Sequence, residues 1–182
     1  MNGEAVWLFD GEEGHCEIMA ALVRRQIESL ESILPDEYVD PIDRLLAEFD
    51  GELARRVEAD PSLARLFPPA LADADQAATF RRDALVQQAR ARLEAAHKVL
   101  AAVDSVTDCE VPVAFEDIDA WVMTMAGLRA QWNVELTGSG ERLAEAKHRD
   151  MLRHPTAAAV TDWLAYQIEA ALEARHLDGG AL

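Results

Sequence analysis

The chain has 182 residues, which suits one well-packed domain and is too short for two of ordinary size. Half of its residues are hydrophobic and only 6% are aromatic, and this Ala- and Leu-rich composition favours helices over strands. The net charge of −17 repels phosphates and anionic lipids. We therefore expect that the chain binds neither nucleic acid nor membranes directly.

The sequence also predicts a cytoplasmic protein. Glu4 and Asp10 interrupt the first residues, and no basic stretch followed by an apolar run resembles a secretory signal. No apolar run approaches the roughly 20 residues that a transmembrane helix requires. The two cysteines lie far apart in the sequence and do not form a disulfide scaffold.

Two short apolar segments are the strand-like parts of the sequence. Residues 5–9 lie in an N-terminal arm, 1–14, and suit either a strand or an extended segment laid across the core, because five residues are too few to show a period. Residues 111–115 form the second segment, and the two can pair into a minimal ribbon. Pro112 lacks a backbone N–H, which confines such a ribbon to a sheet edge.

The remaining segments carry apolar residues at the three- and four-residue spacing of amphipathic helices. The predicted long helices cover about 15–34, 41–59, 74–104, 116–136 and 155–176, with a short helical turn at 62–67. The apolar stripes include Ile18 and Ile42, so both are expected to be buried. Residues 137–155 are predicted to be a flexible connection that includes a mobile or weakly packed helix over 141–153, and residues 177–182 are predicted to be a frayed tail. The prediction is one all-α domain over 1–182, a bundle of about five main helices.

No residue pattern in the sequence indicates a catalytic, metal or cofactor site. The five histidines show no ligand spacing on one helix face. A nucleophile elbow, a phosphate-binding loop and a dinucleotide fingerprint are all missing from the sequence. We therefore expect no catalytic residue, no metal ligand and no bound cofactor.

Cys16 and Cys109 are the candidate redox residues. Cys16 falls in the first turn of the first predicted helix, where free backbone N–H groups stabilise a thiolate. Both cysteines have acidic neighbours, which raise the pKa of a thiol. Two interpretations remain open: two ordinary reduced cysteines, or a reversible disulfide, within or between chains, that acts as a redox switch.

Trp7 is the one tryptophan outside the predicted helices, whereas Trp121, Trp132 and Trp163 lie on apolar helix stripes. The three helical tryptophans are expected in the core. Trp7 is the candidate anchor for a protein partner, with a lid over the bundle as the alternative.

Three segments, in this order, resemble the elements of one protein family. They are Asp60-Pro61-Ser62-Leu63-Ala64-Arg65-Leu66-Phe67-Pro68 followed by Phe80-Arg81-Arg82, then Trp121 to Gly138 with Leu128-Arg129 at its centre, and finally Asp162-Trp163-Leu164 with Glu169 beyond. They resemble an actinobacterial family known as domain of unknown function DUF2017. The chain departs from that family's pattern at Ala126-Gly127, where members tend to carry Asn-Asp, and at Ile168, which replaces a glutamine.

The resemblance implies no catalytic residues. Arg129, Asp162 and Glu169 lie in the matching segments and are the candidate interhelix polar cluster, for which we expect an Arg–carboxylate bridge between helices. Members of the family are often encoded near the adaptor of the Clp protease, which implies a role in protein quality control or regulation.

The leading functional hypothesis is a non-enzymatic, cytoplasmic regulatory or adaptor protein that acts by binding another protein. Residues 1–40 carry 10 acids and 2 bases, so a basic partner is favoured by electrostatic steering; a homodimer is also compatible with the sequence. The first alternative is a thiol-based redox sensor that uses Cys16 and Cys109. The second is a helical hydrolase or metal enzyme whose site is assembled across helices.

Overall fold

The computed structural model describes residues 5–10, 14–34, 42, 52–68, 74–108, 110–138 and 148–179. These residues form seven α-helices, one 3-10 helix and a two-stranded ribbon, which confirms the predicted all-α bundle with a minor ribbon. In chain order the elements are β1 (Ala5–Asp10), α1 (His15–Glu31), α2 (Glu52–Ala59), α3 (Pro61–Leu66), α4 (Ala74–Asp104), β2 (Glu110–Ala114), a 3-10 helix (Phe115–Asp117), α5 (Ile118–Thr137), α6 (His148–Arg153) and α7 (Pro155–Gly179). None of the helices in these ranges has both the length and the apolar character needed to cross a bilayer.

Local signals in the sequence set several helix ends. A side-chain oxygen of Asp60 accepts hydrogen bonds from the backbone N–H groups of Ser62 and Leu63, at 2.8 and 3.3 Å, and Pro61 is the first residue of α3. Gly138 ends α5 in the left-handed conformation, with φ +68°. The predicted start at Asp60-Pro61 and stop at Gly138 are therefore confirmed.

Helix α6 lies within residues 141–153, for which the sequence predicts a mobile or weakly packed helix. Within the predicted flexible connection, 137–155, α6 occupies His148–Arg153, and residues 139–147 lie outside the described residues. Helix α7 continues through Gly179, three residues into the predicted frayed tail, and residues 180–182 lie outside the described residues. Once a helix is nucleated, each further residue adds one hydrogen bond, so α7 continues past its packed positions.

Two side chains in the first half of the chain are more exposed than predicted. Of the predicted helix 41–59, the structure describes residue 42 and α2, and residues 43–51 lie outside the described residues. Ile18 is 45% exposed and Ile42 is 68% exposed, so the expectation that both are buried was wrong. The buried face of α1 includes Met19 and Val23. Neighbouring residues of a helix point about 100° apart, so Ile18, next to the buried Met19, points into solvent.

The ribbon pairs β1 and β2 antiparallel, as the two apolar segments predicted. Trp7 lies opposite Val113 and Phe9 opposite Val111, and all four side chains are buried on the same face. Leu8 lies opposite Pro112 on the other face and is 47% exposed. Each strand of a two-stranded ribbon is an edge strand, so Pro112 is tolerated.

Helix α5 lies at the centre of the bundle and contacts α7, α4, α3 and α1. The larger hydrophobic cluster joins the ribbon to α1, α4, α5 and α7, and a smaller cluster lies between the end of α1 and α2, α3 and α4. A central helix must be buried on several faces, and the buried residues of α5 include Thr124, Gly127 and Asn133 besides the predicted apolar stripe.

Gly127 allows α1, α3 and α5 to meet closely. A Cβ at this position would overlap the side-chain amide nitrogen of Gln26 on α1 and lie 3.3 Å from Leu66 on α3. Gln26 is itself only 2% exposed, so its amide has little room to move. A glycine here costs about 1 kcal/mol in helix propensity, which the close contact offsets.

We predict that Gly127→Val lowers the free energy of unfolding by about 1–3 kcal/mol, because the added carbons overpack the contact with Gln26. The matched control is Ala126→Val on the exposed face of the same helix, which we expect to change stability by less than about 1 kcal/mol. Urea unfolding of both variants checks the prediction. Equal stability of the two would show that the contact at Gly127 is not tightly packed.

Candidate functional site

Trp7 is a core residue, which corrects the expectation of a partner anchor. It is 8% exposed, and its ring lies edge-on to Trp121, with the ring centroids 5.5 Å apart. Phe9 is 0% exposed and lies between the rings of Trp121 and Trp163, at 5.1 and 6.3 Å. The sequence could not distinguish anchor from lid, because β1 is too short to show which face is buried. The buried ring fits the alternative, a lid over the bundle.

Cys16 is disulfide-bonded in the structure. It lies in the first turn of α1, is 9% exposed and belongs to the larger hydrophobic cluster. The sequence has one other cysteine, Cys109, which lies outside the described residues. Of the two interpretations of Cys16, the oxidised one is therefore the state that the structure holds.

The candidate polar cluster of Arg129, Asp162 and Glu169 is not assembled. No hydrogen bond or salt bridge joins these three described residues, and the Nε atom of Arg129 is buried without a hydrogen-bond partner. Asp162 and Glu169 are exposed, whereas α7 faces the core through Leu164 and Ala171. The expected bridge does not form because both carboxylates point away from α5.

Several other titratable groups of the described residues make local contacts. No three His, Cys, Asp or Glu side chains in the described ranges are grouped so that they could hold a metal ion. Histidines pack or pair locally: the ring of His15 lies 5.2 Å from that of Trp163, and His97 lies 4.0 Å from Glu31. Burial lowers the pKa of Arg92, which remains a cation at neutral pH.

A small cavity of about 130 Å³ lies between α1, α3 and α5. Its charged groups are already engaged. Arg25 pairs with Glu135 at 3.1 Å and covers the ring of Trp132, with its guanidinium 6.0 Å from the ring centroid. Asp60 caps α3. These contacts explain the polar lining without a ligand.

A larger, open groove of about 660 Å³ lies between the C-terminal part of α7 and the beginning of β1. Its lining residues are Ala5, Val6, Phe115, Glu116, Ala170, Glu173, Ala174 and Leu177. Two of the apolar side chains are unusually exposed for their size: Phe115 is 42% exposed and Leu177 is 81% exposed. We call this surface the α7 groove.

Among the described residues that line the α7 groove, the charged side chains are acidic. Glu116 and Glu173 are both exposed, and neither forms an ion pair with another described residue. Arg175 lies on the same end of α7, but it is paired with Asp119 at 2.5 Å. The groove therefore combines an apolar floor with negative charge that the described residues do not neutralise.

The α7 groove was not predicted from the sequence. Phe115 is the last residue of the predicted strand segment 111–115, but the chain turns into a 3-10 helix at this residue. Leu177 was assigned to a frayed tail. The available signal was the spacing of Glu173 and Leu177, one helical turn apart on α7.

We predict that Cys16→Ser lowers the free energy of unfolding of the oxidised protein by about 2–5 kcal/mol, the usual effect of removing a native disulfide. Adding a thiol reductant to the wild type should lower its stability by a similar amount and leave the variant unchanged. Urea unfolding with and without reductant measures both. A reductant that leaves the wild type unchanged would contradict a stabilising disulfide.

The comparisons with known proteins give one result. A family model described as a domain of unknown function, DUF2017, matches residues 2–175 of the chain. No curated protein and no solved structure matches it. The match extends from the N-terminal arm into the last turns of α7 and includes the lining residues of the α7 groove except Leu177. The chain therefore belongs to the DUF2017 family.

Proposed function

We propose that this chain is a non-enzymatic, cytoplasmic regulatory or adaptor protein that binds a basic, partly apolar segment of another protein in the α7 groove. The observation that carries the proposal is the exposure of Phe115 and Leu177 beside the carboxylates of Glu116 and Glu173, which form no ion pair with another described residue. Large apolar side chains gathered in one exposed concave surface are typical of interaction sites.

The charge of the groove and of the whole chain favours a basic partner. The net charge of −17 steers a positively charged segment toward the surface and repels an acidic one. Once the segment is bound, its apolar side chains would cover Phe115 and Leu177, whereas its Lys or Arg side chains would pair with Glu116 and Glu173. The proposed affinity thus comes from the apolar floor and the selectivity from the carboxylates.

We predict that the double variant Phe115→Ser, Leu177→Ser loses its protein partner in affinity capture from the native host followed by quantitative mass spectrometry. The matched control is Leu152→Ser. Leu152 lies on α6, before the other end of α7, and is 70% exposed. Wild type and control should enrich the same partner at least tenfold over the double variant, and the partner should carry a basic, apolar segment.

Two outcomes would contradict the proposal. The first is equal recovery of the same proteins by the wild type and by the double variant. The second is self-association through the groove, seen as a dimer in sedimentation velocity that becomes monomeric in the double variant. In that case the surface would be a homodimer interface rather than a site for another protein.

The disulfide of Cys16 supports a second candidate function, a thiol-based redox sensor. Disulfides are rare in reducing cytosol except where they are transient and catalytic or redox-sensing. In the proposed exchange, a thiolate of a cellular dithiol attacks one sulfur of the disulfide, and its second thiol releases the mixed disulfide. The protein gains two electrons and two protons as two thiols, and the dithiol becomes a disulfide.

The reduction potential distinguishes a sensor from a structural disulfide. We predict that the disulfide of Cys16 equilibrates with glutathione buffers at a potential above about −300 mV, because structural disulfides lie below that value. Mass spectrometry of alkylated protein measures the reduced fraction, and Cys109→Ser should abolish the transition if the two cysteines pair. A potential below that range, or partner recovery by Cys16→Ser that still follows the oxidant, would contradict a sensor.

A further inference from the structure

The outward face of α7 continues the α7 groove toward the start of the helix. Tyr166 is 68% exposed and Leu177 is 81% exposed, and the three acids Asp162, Glu169 and Glu173 are exposed as well. At about 100° per residue, these five positions fall within an arc of roughly 80°. They therefore form one continuous strip along the helix, which we call the α7 strip.

All the charged side chains of the α7 strip are acidic. No Lys or Arg of α7 lies in the same arc, because Arg175 lies on the opposite side of the helix and is paired with Asp119. From Asp162 to Leu177 the strip is roughly 22 Å long at 1.5 Å per residue. Its three carboxylates and the exposed side chains of Tyr166 and Leu177 follow one another at spacings of three and four residues.

This spacing favours a helical partner. A second helix lying along α7 repeats its own side chains at the same pitch of about 5.4 Å, so its successive turns can match successive groups of the strip. An extended segment repeats its same-face side chains about every 6.6–6.8 Å and would lose register over this length. Helix-in-groove recognition uses anchors at the same spacing of three, four and seven residues.

We propose that the segment bound in the α7 groove is a basic amphipathic helix that lies along the α7 strip. Its apolar face covers Phe115, Leu177 and Tyr166, and its Lys or Arg side chains pair with Asp162, Glu169 and Glu173. This inference rests on the proposed function, because it assumes that the α7 groove binds a protein segment. It adds that the partner segment is a helix, that this helix lies along α7, and that it makes contacts beyond the groove.

The experiment uses the full chain and three synthetic 18-residue peptides, measured by fluorescence anisotropy at low and high salt. The first peptide is an amphipathic Lys/Leu helix, the second has Glu in place of Lys, and the third is the first with two central Leu residues replaced by Pro, which breaks a helix. We expect the Lys/Leu helix to bind, its affinity to fall with added salt, and the other two to bind at least tenfold more weakly.

The protein variants distinguish the strip from the groove. Asp162→Lys combined with Glu169→Lys should weaken binding of the Lys/Leu helix about tenfold. The control Glu28→Lys combined with Glu94→Lys makes the same charge change on exposed positions of α1 and α4 and should weaken it less than about threefold. Circular dichroism and unfolding curves of each variant check that the fold is retained.

The possible failures separate the two proposals. Equal affinities for the Lys/Leu helix and its Pro-containing form would overturn the helical partner. Equal effects of the strip variant and its control would overturn the contact along α7. If either result appears while Phe115→Ser, Leu177→Ser still abolishes binding, the groove remains a docking site without the helix. If that double variant binds the peptide as tightly as the wild type, both proposals fail.

Discussion

The packing of two aromatic residues of β1 against tryptophans of α5 and α7 is the contact on which the rest of the fold depends. A two-stranded ribbon is at best marginally stable alone in water, and here Trp7 and Phe9 attach it to Trp121 and Trp163 at centroid distances of 5.1–6.3 Å. The same contact places Ala5 and Val6 beside the end of α7, where they form one wall of the α7 groove. The proposed site therefore exists because the aromatic cluster fixes the ribbon.

Much of the architecture could be predicted because it depends on local patterns. The helical spacing over 74–104 gives the bounds of α4, and Asp60-Pro61 and Gly138 mark helix ends that the structure reproduces. The ribbon followed from the apolar character of two short segments and from Pro112, which suits an edge strand. Side-chain exposure was harder to predict. The exposed positions of Ile18 and Ile42 and the buried position of Trp7 depend on rotation and on neighbours that are distant in sequence.

The site shows the same limit. A bridge from Arg129 to Asp162 or Glu169 was reasonable because the residues lie on neighbouring helices, but both carboxylates face solvent. Those carboxylates instead belong to the α7 strip, and the groove beside it needs the 3-10 turn at Phe115 and the continuation of α7 through Leu177. Neither feature has a strong local signal. The chain thus has an apolar interior closed by the ribbon and an acidic outer face on α7. We propose that this outer face binds a partner protein.

Site-specific photo-crosslinking tests the docking site most directly. A photoreactive phenylalanine analogue replaces Phe115 in one protein and Leu152 in a matched control, each is irradiated in the native host, and crosslinked peptides are sequenced by mass spectrometry. The α7 groove as a docking site predicts crosslinks from position 115 to a segment of another protein rich in Lys or Arg and apolar residues, with none from position 152. Crosslinks from position 115 only to this chain itself, or equal yields from both positions, would contradict it.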